Sequence, residues 1–99
     1  MTIKPGVNLA GVRPEVAIAL TIVARVFADK GLECVVTSVT DGKHGRGSLH
    51  YVGQAADLRN ATVPPNQRPL LASALREALG PQFDVVAEPD HFHLEFQPK

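Results

Sequence analysis

Near its end the chain carries His91-Phe92-His93-Leu94-Glu95-Phe96, which alternates ionisable and apolar residues without a break. Alternation with a period of two is the pattern of a β-strand buried on one face only. Phe92, Leu94 and Phe96 then belong to a core, and His91, His93 and Glu95 share the opposite face. Two imidazoles on one strand face stand roughly 7 Å apart at their Cα atoms, twice the rise per residue. One can ligate a metal while the other works beside it. Such a strand requires a sheet with an apolar side and a chemically equipped side.

A second stretch fits the same sheet. Ser48-Leu49-His50-Tyr51-Val52-Gly53-Gln54-Ala55-Ala56-Asp57-Leu58 places His50 and Asp57 seven residues apart. Fully extended, that span covers roughly 23 Å, too far for one ion, so the chain must reverse between them. Gly53 sits where a reversal is needed, because glycine adopts positive φ without steric cost. Ala55 to Arg59 then runs back as a short strand, with Ala56 and Leu58 on one face and Ala55 and Asp57 on the other. The small Ala55 leaves room beside a metal. Together the two stretches offer a His, an Asp and a His-x-His pair, enough for three protein ligands on one Zn²⁺. Three ligands and an open position make a catalytic zinc site, whereas structural sites usually take four.

The remaining pattern supplies the scaffold. Pro14 suits the first turn of a helix, and Val16, Leu20, Val23 and Phe27 recur at helical spacing until Lys30 and Gly31 close the segment. Residues 14–30 are therefore expected to be helical, and residues 1–12 to be an irregular lead-in whose Val7, Leu9 and Val12 pack on the core. Glu33 to Val39 reads as a strand, with Cys34 as a small core residue. A second helix follows Pro69, with Leu70, Leu71, Ala74, Leu75, Ala78 and Leu79 as its apolar positions, closed by Gly80-Pro81. Phe83 to Ala87 pairs with the final strand as a hairpin. The order α-β-β-α-β-β predicts a single α+β domain over residues 1–99: a small antiparallel sheet, helices packed on one face, and the zinc site on the other.

Composition narrows the partners. Ten basic and ten acidic residues give zero net charge with neutral histidines, which argues against binding nucleic acid or an anionic membrane. Cys34 is the single cysteine and excludes an internal disulfide. No apolar run approaches the roughly 20 residues of a membrane span. Met1 to Gly6 lacks the charged start and apolar stretch of a signal peptide. The expectation is cytoplasmic synthesis, with action on a cell wall only after release or delivery, as for a phage or prophage product.

Ser48-x-His50-x-x-Gly53-x-Ala55-x-Asp57 followed by His91-x-His93 resembles the LAS-type zinc peptidases. These include the D-Ala-D-Ala carboxypeptidases, the phage L-alanyl-D-glutamate endolysins and the hedgehog signalling domain. The resemblance covers roughly residues 8–97 and implies a hedgehog/DD-peptidase-like fold. It implies that His50, Asp57 and His93 bind Zn²⁺ and that His91 assists beside the metal. Glu88 or Asp90 would serve as general base. In the alternative register with a single His, Glu88 pairs with His91 as ligand, or Asp90 with His93. The resemblance also implies a basic residue that holds the substrate carboxylate. Arg46 is the candidate, with Lys43 behind it, and Ser48 would help orient the substrate. Thr37-Ser38-Val39-Thr40 stands where relatives often carry a Ser-Gly-Tyr-Arg type sequence. His44 is a candidate fourth ligand in a resting state. The implied reaction is zinc-dependent hydrolysis of peptide bonds in peptidoglycan stem peptides, by a carboxypeptidase or an endopeptidase. The alternative is a zinc-binding, non-catalytic cell-wall-recognition or structural module of the same fold.

Overall fold

The computed structural model describes residues 1–41 and 48–98. Helix α1 spans Pro14–Asp29, with the proline in its first turn, and Lys30 and Gly31 donate their N–H groups to the Phe27 and Ala28 carbonyls at its end. Its stripe of Val16, Ala19, Leu20, Val23 and Phe27 is buried. Helix α2 spans Arg68–Leu79 and buries Leu71, Ala72 and Leu75. Both stripes join one core with Ala56, Leu58, Val85, Phe92, Leu94 and Phe96 of the sheet. Phe27 and Phe92 meet edge to face, with ring centroids 6.4 Å apart, an arrangement that adds to the gain from burial alone.

The sheet has five strands: β1 Thr2–Ile3, β2 Val35–Ser38, β3 Ala55–Arg59, β4 Phe83–Ala87 and β5 His91–Phe96. Their spatial order is β1-β2-β3-β5-β4. All pairs are antiparallel except β1 with β2, which is parallel. The expectation of a purely antiparallel sheet is thus corrected to a mixed one. The lead-in is not wholly irregular, because Thr2 and Lys4 donate their N–H groups to the Cys34 and Val36 carbonyls at 2.9 Å. Two residues are too few to show a period, so sequence pattern gives no sign of such a strand. Val7 and Val12 do pack against the core, whereas Leu9 is exposed. Cys34 is buried just ahead of β2, and burial pushes its thiol up to about 11. It is a core residue, not a reactive thiol.

Candidate metal centre

Strand pairing sets the floor of the site. In the β3–β5 ladder, Ala55 lies opposite Glu95, Asp57 opposite His93, and Arg59 opposite His91. All six are on the face away from the apolar core. A slip of one residue would send every one of them into that core, so burial of Leu58, Phe92 and Leu94 fixes which carboxylate meets which imidazole.

His50 arrives from the side, on a 3-10 turn at Leu49–Val52. The Ser48 hydroxyl caps this turn by accepting from the His50 N–H at 3.2 Å. The turn closes at Gly53, whose φ of 74° is the left-handed conformation expected of it. Space requires glycine there as well, since a Cβ would collide with the Gly11 carbonyl oxygen. Arg13 N–H donates to the Gly53 carbonyl at 2.9 Å, and Phe96 N–H to the Gln54 carbonyl at 2.8 Å. The turn is thereby tied to the lead-in on one side and to β5 on the other.

The outer nitrogens of the two central imidazoles are both engaged. His50 is 1% exposed, and its Nδ1–H donates to the Val39 carbonyl at 2.6 Å. Asp41 holds that carbonyl's residue in place by accepting the Val39 N–H at 2.9 Å. His93 donates from Nε2 to Glu95 Oε1 at 2.7 Å, while Gln97 donates its amide to the other Glu95 oxygen. In the neutral rings these bonds leave the inner nitrogens as acceptors. His50 Nε2 is 3.2 Å from Asp57 Oδ1 and 3.4 Å from His93 Nδ1, and His93 Nδ1 is 2.8 Å from Asp57 Oδ1.

Three acceptors aimed at one another repel unless a cation lies among them. A proton is one such cation. The hydrogen bond to Asp57 raises His93 to about 9, against the opposing effect of burial and with further help from Glu95. Burial pushes the Asp57 carboxyl up, but hydrogen bonds from His50 and His93, with the nearby imidazole charges, outweigh it and hold the group well below the carboxylate range. A metal ion is the other cation. Ligand atoms about 2.0–2.1 Å from a tetrahedral zinc stand roughly 3.3 Å from one another. The two contacts of His50 Nε2 match that separation, and the third is shorter by the amount expected for a hydrogen bond. His50, Asp57 and His93 thus form a group able to hold a metal ion. Their outer partners, Val39 and Glu95, are of the kind that orient metal-bound imidazoles.

Of the two histidines on β5, His93 joins the group and His91 lies beside it. His91 Nε2 is 3.7 Å from Asp57 Oδ1, and its ring stands nearly perpendicular to that of His93. Its Nδ1 donates to Asp90 Oδ1 at 2.6 Å, which holds the Asp90 carboxyl below its ordinary value. Glu88 lies in the same β4–β5 turn, but its side chain makes no hydrogen bond or ion pair among the described residues. Only its backbone is engaged, by His91 and by the Asn60 amide. Arg46, Lys43 and His44 lie outside the described residues. Ser48 is held as the cap of the turn.

Sequence reasoning placed Glu95 on the histidine face without giving it a task. Its position two residues after His93 on that face was the available signal. The Val39 carbonyl carried no such signal, because a backbone acceptor has no side-chain identity to read. Buried Asn60 was also missed; it donates to the Glu88 and Pro89 carbonyls and anchors the turn that carries Asp90. No protein-family model matches the chain, and no curated protein does either.

Proposed function

We propose that this domain is a zinc-dependent peptidase of the LAS type, acting on the stem peptides of peptidoglycan. The reading rests on one observation: a His, an Asp and a second His from three segments present three acceptor atoms within bonding reach of a common cation, with His91 and Asp90 alongside. The order and spacing of these residues supply the resemblance to peptidases. Zinc held there would provide Lewis acidity toward a scissile carbonyl and an activated water near neutral pH. The chain's own groups do the rest. Asp57 and the two ligand imidazoles fix the position of the reaction. Asp90 fixes the His91 ring, leaving Nε2 directed at the Asp57 side of the site, where it can give a proton to, or hold one against, a substrate oxygen. Asp90 rather than Glu88 is the carboxylate in contact with this machinery and is our choice for the general base.

A second reading is a zinc-holding module without turnover, favoured by the Glu88 side chain, which makes no hydrogen bond or ion pair among the described residues. Metal analysis and hydrolysis of purified stem peptides separate the two. We expect about one zinc per chain, hydrolysis by the wild type, and a rate lowered about 10²- to 10⁴-fold in Asp90→Asn with zinc retained. Zinc without hydrolysis by the wild type leaves the non-catalytic module. A protein that takes up no zinc at neutral pH overturns both.

A further inference from the structure

We infer that Arg59 binds a carboxylate of the substrate next to the metal centre, making it a specificity-determining residue; this rests on the peptidase reading above. Arg59 closes β3 two residues after Asp57 and therefore lies on the same face, directly opposite His91. Its Cα is roughly 7 Å along the strand from that of Asp57.

The other described arginines are all engaged. Arg13 pairs with Glu15 and Arg25 with Asp29, while Arg68 donates to the Val63 carbonyl and Arg76 to the Val85 carbonyl. Arg59 is half-buried, yet its side chain makes no hydrogen bond or ion pair among the described residues. The neighbouring acids do not neutralise it: Asp90 is committed to His91, Glu95 to His93 and Gln97, and Asp57 to the central imidazoles.

A guanidinium carries five donors in a planar fork that matches a carboxylate. On the face of the candidate metal centre, with no acceptor among the described residues, it is provided for an acceptor that arrives with the ligand. Consecutive peptide residues advance the chain by about 3.8 Å. A scissile carbonyl at the metal then places a carboxylate near Arg59 when that group lies one or two residues along the substrate. The substrate class is a peptide with a free terminal or side-chain carboxylate at that distance from the bond.

The test uses a stem pentapeptide and the same peptide with its carboxylates amidated. Both are titrated into zinc-loaded Asp90→Asn protein, so that turnover is slow, with and without a change at position 59. Arg59→Gln should weaken binding of the free peptide about 10- to 100-fold and leave the amidated peptide unaffected, with Arg59→Lys in between. Zinc content should not move, and the fold should be retained, because the Arg59 guanidinium makes no hydrogen bond or ion pair among the described residues and Gln keeps most of its stem. Equal affinity of the Arg59→Gln and Arg59 proteins for the free peptide, or an equal loss for both peptides, overturns this inference alone. If the Arg59 protein binds neither peptide, the stem-peptide reading falls and takes this inference with it.

Discussion

Strands β3 and β5 carry two different chemistries on their two sides. On one side Ala56, Leu58, Phe92, Leu94 and Phe96 are buried against the helices. On the other side Asp57, His91, His93 and Glu95 remain partly accessible and bond to one another. The apolar side is satisfied by removal from water, which has no preferred direction. The polar side is satisfied only by particular atoms at particular distances, and its inner acceptors still require a cation. The same register serves both, so packing on one side positions the chemistry on the other.

Substitutions on the two sides should therefore fail in different ways. The largest effect is expected from the buried side. Phe92→Ala should lower the unfolding free energy by about 3–5 kcal/mol, read from denaturant titration of the chelated protein. A loss of under 1 kcal/mol would mean that the aromatic contact with Phe27 does not anchor the sheet. On the accessible side, Glu95→Gln should leave far-UV circular dichroism unchanged while weakening zinc about 10- to 100-fold in chelator competition. Unaltered zinc affinity would show that Glu95 does not orient His93. Per unit of pH, the effect is a single factor of about ten. With His93 raised to about 9, zinc must displace its proton, so apparent affinity should rise roughly tenfold per pH unit from pH 7 toward 9 and then level off. The stability that the metal-free protein draws from this imidazolium is complete below the unfolded histidine value of about 6.5 and is lost as pH rises through about 9. Calorimetric zinc titrations across that range, in buffers of different ionisation enthalpy, check both the slope and the proton released. A flat profile would place the displaced proton elsewhere.

What could be read from the letters follows the same division. The alternation of His91 to Phe96 announces its strand and both its faces, and Gly53 announces the reversal that brings His50 back to Asp57. These are repeated or conformationally special residues, and physics leaves a mark in their spacing. The parallel pairing of Thr2–Ile3 leaves none, because two residues have no period and the partner lies about thirty positions away. The role of Glu95 needs the rotamer of His93, and the choice between Asp90 and Glu88 needs the path of a tight turn. That the Arg59 side chain has no partner among the described residues appears only once every neighbouring acid has been assigned.

One contact reaches beyond its neighbourhood. The turn that carries His50 rests backbone to backbone on Gly11, with Arg13 bonded to its closing glycine. A stretch that contributes no ligand thus acts as the abutment for the most deeply enclosed imidazole of the centre. Trimming the first dozen residues, or adding a side chain at Gly53, would leave His50, Asp57 and His93 in the chain while removing the support that points one of them inward.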